Sequence, residues 1–189
     1  MRRLALLAFL ALATLARPAF AVERLLVPQI AGWKVVAGHA DSGGEFTELV
    51  PEKETADEWT RRISVEAFRG VARTVPELLD IVASRSAEIC DAASAEPPRL
   101  GKLAQYDAGS RFVGCGRYKA DGKGTYTMYY AIRGRDALFV VSRSWRGEPF
   151  AAGGIPVGQQ ELGDWIAFMR AIAICDSADP ALACPTAAR

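Results

Sequence analysis

The hydrophobic period of the chain changes several times, and each change marks an element. Gly32 to Ala40 ("GWKVVAGHA") predicts a strand that ends in the polar turn "DSGG". "EFTELV" predicts the second arm of a hairpin, and Pro51 to Asp57 a loop or single helical turn. From Trp59 to Phe68 the residues alternate, with Ile63, Val65 and Ala67 on one face of a strand. At Thr74 the period lengthens. Thr74 is placed to cap a helix, Pro76 lies in its first turn, and Glu77 completes a capping box. Leu78, Leu79, Val82, Ile89 and Cys90 fall largely on one stripe, which predicts a helix over Thr74 to Ala93. "SAEPP" stops it, because proline cannot continue a helix.

Arg99 to Trp145 reads as four strands near "RLGKLAQYDAG", "SRFVGCGRYKA", "GTYTMYYAIRG" and "ALFVVSRSW". The turn signals between them are "DAGS", "ADGKG" and "RGRD". Tyr126, Met128, Tyr130 and Ile132 share one face of the third segment, and Thr125, Thr127, Tyr129 and Ala131 the other. In the fourth, Phe139 and Val141 oppose Leu138 and Val140. Apolar residues on both faces predict central strands covered on both sides. A Gly/Pro loop follows. "QQELGDWIAFMRAIAIC" then predicts a second helix, with Leu162, Trp165, Ile166, Met169, Ile172 and Ala173 on one stripe. The order βββ-α-ββββ-α predicts an α/β chain of the α+β kind. Its mostly antiparallel sheet has about six to seven strands, covered by two main helices in a layered sandwich.

The N-terminus adds a compartment. Met1-Arg2-Arg3, the apolar run Leu4 to Ala16, and Ala19 and Ala21 in an A-x-A arrangement have the layout of a secretory signal peptide. Cleavage is expected after Ala21, leaving one domain over residues 22–189. The apolar run is shorter than the roughly 20 residues a membrane span needs. No stable membrane insertion is therefore expected after cleavage, and the expected location is periplasmic or secreted. Removing Arg2, Arg3 and Arg17 takes the formal charge from +1 to −2. That balance gives no basic face for a nucleic acid.

Four cysteines, Cys90, Cys115, Cys175 and Cys184, fit two disulfides in an exported chain. Three pairings are open. The Pro-containing loop of "CDSADPALAC" favours Cys175–Cys184, which leaves Cys90–Cys115. There is no C-x-x-C, and one histidine cannot complete a zinc site with them. No metal and no cofactor are expected.

Candidate chemistry is sparse. His39, the one histidine, lies close to Asp41 and Ser42, but triad members come from distant segments. Its plainer reading is a polar strand end. Glu48, Glu52, Glu54, Asp57 and Glu58 form an acidic set without the glycine of a calcium loop. Their plainer reading is a solvated loop. "GCGRYKADGKG" and "AAGGIPVG" match no phosphate-binding pattern and read as turns. Trp59, Arg62, Trp145 and Arg146 are of types enriched at binding hot spots, although both tryptophans also suit a core.

"ELVPEKETADEWTRRIS" resembles the element (F/L)-(V/I)-P-x-(G/K)-E-(S/T)-x-x-x-W-(S/T)-x-x-(I/V)-(S/T) of small exported bacterial proteins of unknown function. Pro51, Glu54, Trp59, Thr60, Ile63 and Ser64 are the matching positions. "YYAIRGRDALFVVSRSW" and "ELGDWIAFMRAIAIC" extend the resemblance in the same order over most of the mature chain. These proteins are associated with the PsbP-like α/β/α sandwich, which also serves an extrinsic subunit of photosystem II and a Ran-binding nuclear import factor. The resemblance implies binding or assembly and transfers no catalytic residue. The manganese- or calcium-linked role of the photosystem subunit has no matching ligand set here. Fold alone does not carry function.

The expectation is thus an exported, disulfide-stabilised, non-catalytic binding or accessory protein of the cell envelope. Its partner is an unidentified envelope protein or small ligand, met by Trp59, Arg62, Trp145, Arg146 and His39. Two alternatives stand beside it: an envelope hydrolase using His39 with a nearby carboxylate, and a secreted enzyme inhibitor.

Overall fold

The computed structural model describes residues 23–185. The expected signal peptide and its cut after Ala21 lie outside the described residues. The elements are β1 (Glu23–Leu26), β2 (Trp33–Asp41), β3 (Gly44–Pro51), β4 (Arg61–Arg69), α1 (Val75–Ile89), β5 (Ala93–Ala95), β6 (Arg99–Leu103), β7 (Tyr106–Cys115), β8 (Gly124–Arg133), β9 (Ala137–Gly147), α2 (Gln159–Arg170) and β10 (Ala173–Asp176). Eight strands form one antiparallel sheet in the order β2-β3-β4-β9-β8-β7-β5, with β6 also on β7. β1 and β10 pair as a separate ribbon. The layered α+β architecture is the one the periodicity predicts.

The main sheet has eight strands where six to seven were expected, and the boundaries differ for physical reasons. "RLGKLAQYDAG" is two strands, not one. The chain reverses at Ala104, whose φ of 53° is unusual without glycine. "DAGS" is no turn but the start of β7, and its Gly109 is there for space. A Cβ at Gly109 would lie 2.9 Å from Val75 Cγ1 and 3.2 Å from Leu79 Cδ1. This glycine lets α1 sit directly on β7.

Thr74 and Glu77 form the capping box, as read from the sequence. α1 nevertheless ends at Ile89, well before "SAEPP". Cys90 turns extended, bridges Tyr118 and bonds to Cys115 across a Cα separation of 5.4 Å. Ala93–Ala95 can then join β7 as β5. The second helix likewise stops at Arg170, because Ala173–Asp176 is taken up as β10 by pairing with β1. Cys175 bonds to Cys184 over a Cα separation of 4.8 Å.

The helices cover opposite faces. α2 buries Trp165, Phe168 and Met169 against Ile63, Tyr126, Met128, Ile132, Phe139 and Val141. α1 buries Val75, Leu78 and Leu79 against Ala131, Leu138 and Val140. A helix is about 10–12 Å across and strands lie about 4.8 Å apart, so one helix shields roughly two strands. α1 rests on β7 and β8. The same face of β4 and the far half of β9 carries Arg62, Ser64, Glu66, Ser142 and Ser144, and β3 adds Glu48 between Phe46 and Val50.

The β1–β10 ribbon is tied to the β8–β9 turn through buried charge. Glu23 is fully buried and accepts hydrogen bonds from the backbone N–H groups of Arg135 and Asp136, both at 2.8 Å. Arg135 also donates to the buried Asp176. Burial, followed by the bond to Glu23, pushes the Tyr106 phenol up to about 12. Among the described residues no helix is long and apolar enough to cross a membrane.

The bridge between Cys90 and Cys115 closes 25 residues, against 9 for Cys175–Cys184. The longer loop restrains the unfolded chain more. Replacing Cys90 and Cys115 together by alanine should lower stability by about 3 kcal/mol. Replacing the other pair should cost less, as chemical denaturation of the two variants can show.

Candidate functional site

The polar half of the α1 face is the floor of a cleft of about 620 Å³, within the range of roughly 300–1,000 Å³ usual for ligand sites. Strand register builds that floor in rows. Tyr129, Ser142, Ser64 and Glu48 lie side by side across β8, β9, β4 and β3. Thr127, Ser144 and Arg62 form the next row, and Glu66 and Phe46 continue beside the first. Directly paired residues share a face, so these side chains all point to the side of α1. Val82, Arg85, Ser86 and Ile89 form the helical wall. The Cys90–Cys115 bridge lies at one end, and Trp59, Asp57, Asp121 and Arg146 at the rim.

The volume follows from residue size. Where α1 packs, the sheet presents Leu138, Val140 and Ala131. Where it does not, β9 switches to Ser142 and Ser144, and β8 and β4 supply Thr127 and Ser64. Short hydroxyl side chains line the floor without filling the space above it. Thr127 and Ser144 bond to each other at 2.9 Å.

Trp59, Arg62 and Arg146 come together, as three of the five candidates. The Arg62 guanidinium lies 4.2 Å from the centre of the Trp59 ring, and that of Arg146 lies 5.4 Å from it. Such contacts contribute about 0.5–2 kcal/mol each. Trp59 is itself buried, so it orients the two arginines and is no open stacking platform. Arg62 also pairs with Glu48 at 3.0 Å. Its buried Nε has no acceptor among the described residues. An unmet donor costs about 1–3 kcal/mol, which the ring contact and the Glu48 pair offset. Arg146 is fixed by Asp121 and by the carbonyl of Asp57.

Trp145 and His39 stand apart. Trp145 is one residue before Arg146 on β9 and so points to the α2 side, edge-on to Phe150 at 6.0 Å. His39 pairs with Phe46 on the outermost strand but does not line the cleft. It bonds to Asp41 at 2.9 Å, with the two side chains 69% and 56% exposed. The hydrogen bond keeps Asp41 readily ionised.

Sequence reasoning missed Glu66, Ser64, Ser142, Ser144 and Tyr129. The available signal was the alternation of "SRS" in β9, where small hydroxyls replace the aliphatic residues of the α1 face. Glu66 is half-buried with no hydrogen-bond partner among the described residues. Burial, and then the nearby Glu48, raise its pKa above the ordinary glutamate value, and Arg62 only partly offsets them. Tyr129 is pushed up as well, by burial and by Glu66.

Two members of the acidic set are no solvated loop residues: Glu48 lies on β3 and pairs with Arg62, and Glu54 is held at the start of β4. Glu54 accepts from Thr60 Oγ1 at 2.6 Å, from the Thr60 N–H at 2.7 Å and from the Arg61 N–H at 3.3 Å. Burial works against its ionisation, but these bonds and the Arg61 charge prevail and lower its pKa. Glu54 thereby clamps the loop to the start of β4 and holds Trp59 at the rim.

No family model and no curated protein matches this chain. Among solved structures, LpqN, involved in cell envelope biogenesis of Mycobacterium tuberculosis, is similar at 10% identity. The match covers 84% of this chain and 86% of that one at a TM-score of 0.41. A likeness of that size carries no argument here.

Glu54 supports the loop only when ionised. Because its folded pKa is lowered, its contribution is full above the ordinary glutamate pKa and is lost as pH falls through the lowered value. Glu54→Gln should cost about 1 kcal/mol at neutral pH. It should also flatten the acid side of the stability curve, as urea denaturation from neutral to acid pH can show.

Proposed function

We propose that the chain is exported, processed after Ala21, and works as a non-catalytic binding protein of the cell envelope that holds a small polar ligand in the α1-side cleft. The observation that carries this reading is the cleft itself. Its floor is polar, it spans four strands, and it lies beside a helix the fold could have centred over it. Two disulfides fit an oxidising compartment and fix both the end of α1 and the C-terminal turn. The cell-envelope location and the signal peptide belong to the same proposal.

The PsbP-like resemblance of Pro51 to Ser64 is part of it too. Of the six positions that carry the resemblance, Glu54, Trp59 and Thr60 join loop, strand and rim of the cleft. They shape a binding face and bring no reacting group to it. His39 and Asp41, the pair a hydrolase would use, sit on an exposed hairpin one strand beyond the lining.

The test is to fill the cleft. Ser144→Leu adds apolar volume on the floor, outside the core under either helix, at the loss of the hydrogen bond to Thr127. Mature wild-type protein incubated with small molecules extracted from the host envelope should show bound mass by native mass spectrometry, and a raised melting temperature. Ser144→Leu should remain folded and lose both. Bound mass that persists unchanged in Ser144→Leu, or no bound mass in wild type, contradicts the reading. His39→Ala should leave binding at the wild-type level, and a loss there would return the hairpin to consideration.

A further inference from the structure

Charge in the cleft is almost, but not fully, balanced. The lining carries Glu48, Asp57, Glu66 and Asp121 against Arg62, Arg85 and Arg146. Arg62 is engaged by Glu48, and Arg146 by Asp121. That leaves Glu66 and Asp57 against Arg85. Asp57 and Arg85 are exposed at the mouth, where water and salt screen them. Glu66 is on the floor, half-buried, with no donor among the described residues. Arg62 nearby offsets its charge only in part, and the hydrogen-bond donors that a buried charge ordinarily has are missing.

The groups around Glu66 are hydroxyls. Tyr129, also half-buried and without a hydrogen-bond partner among the described residues, lines the same floor with Ser142 and Ser64. Ser64 makes only a long contact of 3.4 Å to Glu48. The charges of the two arginines nearest the floor are already met by carboxylates, and the buried Nε–H of Arg62 is a remaining donor that a hydroxyl oxygen can satisfy. An occupant that matches the floor brings one positive charge with N–H donors for Glu66, and hydroxyls for Tyr129 and the serines.

We propose that the ligand is a small hydroxylated primary amine, an amino sugar or amino alcohol in protonated form, with its ammonium group on Glu66 and its hydroxyls on Tyr129, Ser142 and Ser64. This rests on the reading of the cleft as a ligand site and adds the chemical class. Glu66 must be ionised to hold the ammonium group. Since its pKa is raised, affinity should fall as pH drops through that raised value. The charged and titratable groups that face Glu66 are Glu48 on β3, Arg62 on β4, Tyr129 on β8 and Arg85 on α1. His39 on β2 is one strand further away.

The experiment is calorimetric titration of the mature protein with three probes: glucosamine, glucose and inorganic phosphate. Glucosamine should bind, and glucose, which has a hydroxyl in place of the ammonium group, should bind on the order of 10- to 100-fold more weakly. Glu66→Gln should reduce glucosamine affinity by a similar factor and bring it level with glucose. The same variant should melt at or above the wild-type temperature, because a strained carboxylate has been removed, so lost binding cannot be attributed to unfolding. The pH dependence should persist in His39→Ala and vanish in Glu66→Gln. Equal binding of glucose and glucosamine, or preferential binding of phosphate, overturns the amine class while leaving the cleft a ligand site. If no probe binds while envelope-derived mass still occupies wild type but not Ser144→Leu, the amine class fails alone. If that mass is missing too, both proposals fail.

Discussion

The width of a helix decides the character of this protein. A helix about 10–12 Å across cannot roof a sheet of eight strands spaced about 4.8 Å apart. On one face the gap is closed by α2 together with partly buried residues from the β1 region, the loop before α2 and the C-terminal turn. On the other face α1 works alone. It has been pulled to one side, onto β7 and β8, by Gly109 beneath it and by the bridge from Cys90 to Cys115 at its end. Everything polar about the remaining face follows. Strands without a cover must present side chains that tolerate water, so β4 and β9 carry serine, arginine and glutamate where they leave the shelter of α1.

Three glutamates show how differently one chemical group can be treated. Glu23 is fully buried and satisfied by two backbone N–H groups, and it anchors the first described strand. Glu54 is partly buried and satisfied by three donors, and it holds the loop that carries Trp59. Glu66 is half-buried and has no donor among the described residues, so burial disfavours its charge. The first two have structural work that explains them. The third has no such structural work, and it is the residue on which the proposed occupant of the cleft rests.

Much of the architecture was legible in the chain because it rests on local period and local chemistry. The alternation of β4, β8 and β9, the Thr74–Glu77 capping box and the amphipathic stripe of α2 all depend on residues close in sequence. What could not be read depends on distant pairing. β5 is three residues long and exists only through β7, and β10 cuts short a helical pattern because β1 is there to receive it. The Ala104 reversal carries no glycine to announce it. The site was half legible for the same reason. Trp59, Arg62 and Arg146 are conspicuous by type, but Trp145 is separated from Arg146 by the alternation of a strand, and only the register reveals that Ser64, Ser142 and Tyr129 lie in one row. Glu54 reads as a solvated acid because its partners, the N–H groups of Thr60 and Arg61, are invisible in a sequence.

A ligand cleft on the uncovered half of the α1 face differs from a mere gap between packed elements in what it holds. The most direct measurement is a crystal structure of the mature protein grown after incubation with its host envelope extract. The prediction is non-protein density bonded to Glu66 and Tyr129, with Arg62 still stacked on Trp59. The contradictory result is a closed face, with α1 shifted toward β4 and the side chains of Val82 and Ile89 occupying the space above Ser142 and Ser144.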